Sequence, residues 1–493
     1  MIDTPTPFDA ARSLILEGRI VEAEALMVRE LDAVTARHGA GTPQWASAQC
    51  DLGNVLFNAD QMGRAVDCFR AAVSVSPRDY PELYKGHLTY RSNLGQALRL
   101  AGRLDEAEQE LRAGARARME YYGREHPGYA FGLEPLADLL LQRGDLAQAR
   151  QVVEEMVANL YQAGHERVAV ALALRAEIVR ATGSGDELFP GADRLPEHVL
   201  EQLVLAVCER AGSGDPLLYR TLLRDLAAAI EARLGPDHFA TLKALSNLAN
   251  LNRNIGDEAG LAERVDVIRR VLAAHDRQGR AEDALHVAQG LALALGDAGQ
   301  PEEGLRAYAN AHQRAVRLGR PEPVSQTLRN WGLALQEAGR LDEAEARLAE
   351  AVAAAATGAD YEMLGRGRIA LGLFLQHRER LGEARTVIES GLAVLDPVHP
   401  DAIVGRSHLG AVLEGRSCGC GDMPATIAAA FREFVLSKLP PDLLDDLEVT
   451  LADHDFQIGL HLRREPTQEE LERLNGVVQS ALAEFRRRLA ENT

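Results

Sequence analysis

The sequence predicts an all-α solenoid of about ten stacked helix hairpins, closed at its C-terminal end by a small α+β module. Three observations predict it. Of 493 residues, 46% are apolar and 26% charged, enough for a large core, while aromatic residues reach only 5%. That mix, rich in Ala and Leu, suits helices better than sheets. The chain also repeats itself at a spacing of 42 residues, and each repeat holds two blocks of helical apolar periodicity divided by a turn.

The repeat is read from three aligned strings, LGNVLFNADQMGRAVDCFRAAV from Leu52, LGQALRLAGRLDEAEQELRAGA from Leu94 and LADLLLQRGDLAQARQVVEEMV from Leu136. Each carries a small residue second, Gly53, Gly95 or Ala137. Ala65, Ala107 or Ala149 follows twelve residues later, and Phe69, Leu111 or Val153 sixteen later. One period upstream, Ala11, Ala23 and Met27 fall in the same places. The first block ends at turns such as Ala101-Gly102-Arg103, and the second opens on acidic residues such as Asp105 and Glu106, which suit a helix N-terminus. Small residues on both helices let the axes approach closely. A hairpin that cannot bury its own apolar face must stack on its neighbours.

Together with Pro77 at the end of the second unit, these residues resemble the tetratricopeptide repeat family. The joints Gly-Arg-Glu-His-Pro (123–127), Leu-Gly-Pro-Asp-His (234–238) and Asp-Pro-Val-His-Pro (396–400) are similar to those of its 42-residue subtype, found in kinesin light chains and bacterial signalling proteins. The pattern returns around Ala249, Ala292, Gly332, Gly372 and Gly410, and Gly332 with Gly339, Ala344 and Leu348 matches cleanly. The resemblance spans residues 4 to about 415. It implies a right-handed superhelix and a protein-binding role.

The pattern divides the chain into an N-terminal array (1–183), an irregular helical joint (184–235), a second array (236–415) and a C-terminal module (416–493). Residues 168–182 read as a first helix, but Gly183-Ser184-Gly185, Pro190-Gly191 and Pro196 break its expected mate. Helices follow at about 196–211 and 216–234. The joint is equally consistent with a hinge and with a long packed connection.

In the last module, residues 424–439 read as helix. Leu447, Val449 and Leu451, then Phe456, Ile458, Leu460 and Leu462, alternate with polar residues about a turn at Ala452–Asp455, predicting a hairpin. The competing reading makes 442–462 one more helix. Pro466-Thr467 with Glu470 opens a final helix bearing Leu471, Leu474, Val478, Leu482, Phe485 and Leu489. This module either caps the last repeat or forms a homodimer.

First helices of stacked hairpins line the concave face. On them, residues near the small position present Cys50, Asn54, Phe57 and Asn58, then Ser92, Gln96 and Arg99, then Ser246, Asn250, Arg253 and Asn254, then Arg329, Gln336 and Glu337. Amides and guanidinium groups there can pair with a peptide backbone or its carboxylates. The fourth unit holds Glu134, Asp138 and Leu141 instead, so the groove is not uniformly basic. The expected function is therefore a non-catalytic scaffold or adaptor binding a peptide segment or partner protein. The alternative is a regulatory sensor whose superhelix closes on a small peptide or metabolite.

Other chemistry is sparse. Cys418 and Cys420, with His408 or Asp422, could share a soft metal, but structural zinc usually needs four ligands and wider spacing. A glycine-rich loop is the plainer reading, and no cofactor is expected. His126, His238 and His399 recur with the repeat and read as joint residues. Gly415, Ser417 and Gly419 match G-x-S-x-G after a helix where a nucleophile elbow needs a strand. No P-loop, dinucleotide fingerprint or H-E-x-x-H string occurs. A net charge of −19 argues against nucleic acid or an anionic membrane as main partner. Five thinly spread cysteines, no long apolar run and no signal pattern point to the cytoplasm.

Overall fold

The computed structural model describes residues 6–16, 19–212, 214–397 and 399–417, the paired strands 444–452 and 455–462, and single positions 427, 431, 432, 435 and 478. The chain forms two compact units, residues 1–267 and 268–493.

The first unit opens with three hairpins. These are α1 (Pro7–Leu16) with α2 (Ile20–His38), α3 (Pro43–Asn58) with α4 (Met62–Ser74), and α5 (Tyr84–Leu100) with α6 (Leu104–Tyr122). The next first helix is split into α7 (Pro127–Ala130) and α8 (Glu134–Gln142) ahead of its mate α9 (Leu146–Gln162). Pro135 supplies no backbone N–H and disfavours helix in the residue before it, which accounts for the break. After α10 (Val168–Thr182) come α11 (Glu197–Ala211), α12 (Pro216–Leu234) and α13 (Phe239–Ile255). Both units share α14 (Glu258–Gln278), so the division between them lies inside a helix, well beyond the irregular stretch at 184–235.

The second unit continues with α15 (Ala281–Asp297) and α16 (Pro301–Leu318), α17 (Pro321–Glu337) and α18 (Leu341–Ala356), α19 (Tyr361–His377) and α20 (Leu381–Leu392), and α21 (Pro400–Leu413). Its last described elements are an antiparallel pair, β1 (Leu444–Ala452) and β2 (Asp455–Leu462). Leu447 lies opposite Leu460, Val449 opposite Ile458 and Leu451 opposite Phe456, so this stretch is strand and not one further helix. The flanking helices expected over 424–439 and 467–491 lie, but for single positions, outside the described residues. The choice between cap and dimer lies there with them.

In four hairpins the small residue of the first helix meets the residue sixteen places later on its mate. A Cβ on Gly95 would sit 2.4 Å from Leu111 Cδ2, and one on Gly53 2.7 Å from the Phe69 ring. Gly332 against Leu348 (2.7 Å) and Gly372 against Ile388 (2.5 Å) repeat the contact in the second unit. This close approach is what the sixteen-residue spacing inside each of these hairpins encodes. The interhelix turns take a left-handed residue, supplied by Gly102, Gly144, Gly299 and Gly339.

One helix is missing. Ten of the fifteen residues of α10 are buried, so it is enclosed on every side. The segment 183–196 fills the place of its mate, burying Leu188, Phe189, Ala192 and Leu195. Three side chains pin it. Arg175, only 6% exposed, donates to the Leu188 carbonyl at 3.1 Å and pairs with Glu154 at 2.9 Å. Tyr161 Oη donates to the Pro190 carbonyl at 2.7 Å, and Arg233 to that of Ala192 at 3.1 Å. The segment is a packed connection held by hydrogen bonds to its own backbone.

Candidate binding face

In the first unit the polar residues singled out from sequence face neighbouring repeats as well as solvent. Asn54 is half-buried, and its Oδ1 accepts from Asn93 Nδ2 at 3.0 Å across the α3–α5 contact. Asn58 is exposed and donates to the Asn54 carbonyl at 2.7 Å. Arg99 Nη1 donates to Gln142 Oε1 on α8 at 3.1 Å, while Gln96, three residues before Arg99 on α5, is half-buried. Cys50 lies beneath this row, and burial pushes its thiol up to about 12, which leaves it un-ionised and unreactive. Asn250, Arg253 and Asn254 on α13 are all exposed.

A charged cluster that single-repeat reasoning missed joins three successive first helices of this unit. Arg210 on α11 reaches Asp138 on α8 at 2.9 Å and Glu177 on α10 at 2.6 Å. All three side chains are mostly withdrawn from solvent, with 15–22% exposure. One guanidinium facing two carboxylates gives these three side chains a summed charge of one negative.

The second unit carries the reverse arrangement. On α17, Arg329 Nη1 approaches Asp401 Oδ2 at 3.4 Å, and Arg366 Nε on α19 reaches the same oxygen at 2.9 Å. Arg329 is only 13% exposed in its side chain, and its Nε has no hydrogen-bond partner. Burial, then the adjacent Arg366 charge, lower its pKa from the ordinary arginine value. These groups border a cavity of about 450 Å³ that also takes in Gln336, Gln376 and His408, over apolar walls from Leu333 and Leu373. Gln376 donates through Nε2 to the Arg416 carbonyl at 3.2 Å, which turns its Oε1 to His408 Nδ1, 2.7 Å away. The His408 ring therefore carries its proton on Nδ1, and burial lowers its pKa, favouring the neutral form.

Of the sequence candidates, Arg329, Gln336 and His408 come together here. Asn54, Asn58, Gln96 and Arg99 line a different stretch in the first unit, and Asn250, Arg253 and Asn254 another. Arg366 and Asp401 carry no signal in the repeat pattern, since Arg366 stands six residues before Gly372, more than one helical turn from the small residue.

The recurring histidines act as helix caps. Nδ1 of His126, His238 and His399 accepts from the backbone N–H two residues on, at 2.9, 3.2 and 3.1 Å. That places the proton on Nε2, which faces Glu197 at 3.0 Å from His238 and Glu362 at 3.5 Å from His399. Cys418 and Cys420 lie outside the described residues. Among the described residues, no three His, Cys, Asp or Glu side chains gather as a metal site would require, and no helix is long and apolar enough to cross a membrane.

Family models described as tetratricopeptide repeat match residues 46–79 and 87–162. No curated protein matches the chain. Among solved structures, a putative kinesin light chain repeat protein of Podosopora anserina is 19% identical, covering 42% of this chain and 96% of its own, with a TM-score of 0.34. BtubC (BKLC) from P. vanneervenii is 15% identical over 48% of this chain and 90% of its own, at a TM-score of 0.33. A signal transduction ATPase with numerous domains and a tetratricopeptide repeat sensor, from Pyrococcus horikoshii, is 13% identical over 75% of this chain and 50% of its own, at 0.38. Likeness at these scores carries nothing about function.

Proposed function

We propose that this chain, which carries tetratricopeptide repeats at residues 46–79 and 87–162, is a non-catalytic scaffold whose first-helix faces bind a peptide segment or a partner protein. Repeats of this family are protein–protein interaction modules. One observation carries the reading furthest. In each unit, polar side chains from successive first helices converge on one face and are held there by contacts between repeats, as Arg210 is by Asp138 and Glu177. Side chains fixed in this way lose little entropy when a ligand arrives.

Binding would follow from the groups present. Amides such as Gln96, Asn250 and Gln336 can match the donors and acceptors of an extended backbone, and guanidinium groups can pair with its carboxylates. Affinity would come from a few buried apolar anchors, with the polar row fixing register.

The test is capture of partners by the full chain against two variants. One carries Asn250→Ala, Arg253→Ala and Gln336→Ala on first helices. The other carries Arg385→Ala on the second helix α20, where Arg385 makes only a local pair with Glu389. The first variant should lose partners that the second keeps. Equal recovery from both would remove the first-helix faces from the account.

A further inference from the structure

We propose that the cavity across α17, α19 and α21 is a binding site for a monocarboxylate carried on an apolar body. The inference deepens the reading above by naming the chemistry that one part of the face recognises.

Three features point to it. The first is charge. Two guanidinium groups share a single oxygen of Asp401, so the cavity wall carries one uncompensated positive charge. Glu362 stands 3.7 Å from the far side of Arg366, but its side chain is 59% exposed and solvent screens it. The second is an unmet donor. Arg329 is largely buried, and its Nε–H has no acceptor. A buried donor left unmatched costs free energy that an incoming oxygen would recover. The third is shape. About 450 Å³, walled by Leu333, Ile369, Leu373 and Val404 between the arginine pair and the polar groups Gln336, Gln376 and His408, is the size of a small-ligand pocket with a charged end and an apolar middle.

The charge also selects the anion. A single excess positive charge matches one carboxylate, whose two oxygens suit the planar fork of arginine. A dianion such as a phosphomonoester would overfill it and face Asp401 directly. His408, neutral and bonded through Nδ1 to Gln376, keeps Nε2 as a further polar group at the cavity wall. A carboxylate on an apolar body has two sources, a free small acid or the C-terminal residue of a peptide.

Calorimetric titration of the full chain with four probes tests the proposal: octanoate, octanamide, a short N-acetylated peptide ending in leucine, and the same peptide amidated. At least one acid should bind, with its amide about tenfold weaker or worse, the loss expected for one charge-assisted hydrogen bond. Binding of octanoate identifies a free acid as ligand, and binding of the peptide alone identifies a C-terminus. Arg366→Gln should weaken the acid by a similar factor. Asp401→Asn should tighten it, because both guanidinium groups lose their competing carboxylate. The acid–amide comparison uses the unaltered protein, so it stands even if a variant folds poorly. Equal binding of acid and amide, or no binding of either acid, would overturn the proposal. Acid binding lost while partner capture persists would remove this site alone; partner capture indifferent to the first-helix variant, with acid binding intact, would remove the scaffold reading alone.

Discussion

Arg210 and Asp138, 72 residues apart in the chain, meet at 2.9 Å across the first helices of the N-terminal unit. Arg329 and Asp401 in the C-terminal unit are also 72 apart and approach to 3.4 Å. Each pair is completed by a side chain from the helix between, Glu177 in one case and Arg366 in the other. The same construction thus carries opposite net charge in the two units. Replacing Arg210 with Gln leaves two half-buried carboxylates facing each other, and should cost about 3 kcal/mol. Chemical denaturation of the variant beside the parent measures it.

The contact between the small residue and the residue sixteen places later can be tested as a pair. Gly95→Ala forces a methyl group against Leu111, an overpacking that should cost about 1–3 kcal/mol. The fourth repeat already shows the remedy, with Ala137 and Val153 both fully buried at the equivalent places. Gly95→Ala combined with Leu111→Val should therefore be more stable than the sum of the single changes, with a coupling above about 0.5 kcal/mol. Simple additivity would refute the contact as the origin of the repeat pattern.

Arg175 holds the segment that stands in for the missing helix. Arg175→Met keeps volume but leaves the carbonyls of Glu187 and Leu188 without their donor. The expected result is a loss of about 2–4 kcal/mol and new proteolytic cleavage within 183–196. Tyr161→Phe, removing a single bond to Pro190, should cost only about 1 kcal/mol.

Asp51 gives stability a pH dependence of known sign. Burial raises its pKa from 3.8 to about 6. The folded state therefore holds the proton more tightly than the unfolded chain. Its favourable contribution is complete below pH 3.8 and disappears as pH rises through about 6. Asp51→Asn should stabilise the protein at pH 7.5 by about 1 kcal/mol, after allowance for solvent screening, and much less at pH 4.5. Melting curves at the two pH values decide it, and an equal gain at both would assign the effect to something other than charge.

The hairpins were legible because their determinants are local. A small residue, its partner sixteen places on, and a glycine at the turn all lie within one repeat, and helix geometry fixes their spacing. The hairpin at 444–462 was legible for the same reason, since alternation about Ala452–Asp455 needs no distant partner. The replacement of one helix by 183–196 was legible only as a break. Leu188, Phe189 and Leu195 follow no period, and what orders them is the reach of Tyr161, Arg175 and Arg233 from other elements. The proposed site in the C-terminal unit was half legible. Arg329 and Gln336 fall on the repeat pattern, whereas Arg366 and Asp401 join it through contacts spanning 35 and 72 residues, which depend on how repeats stack.

The scaffold reading is tested most directly by placing a photoreactive benzophenone side chain at position 336, on the first-helix face, and separately at position 385 on α20. Irradiation of the full chain with its cellular partners should yield cross-linked partner from 336 and little from 385. Equal cross-linking from the two positions, or cross-linking from 385 alone, would contradict a partner-binding role for the first-helix face.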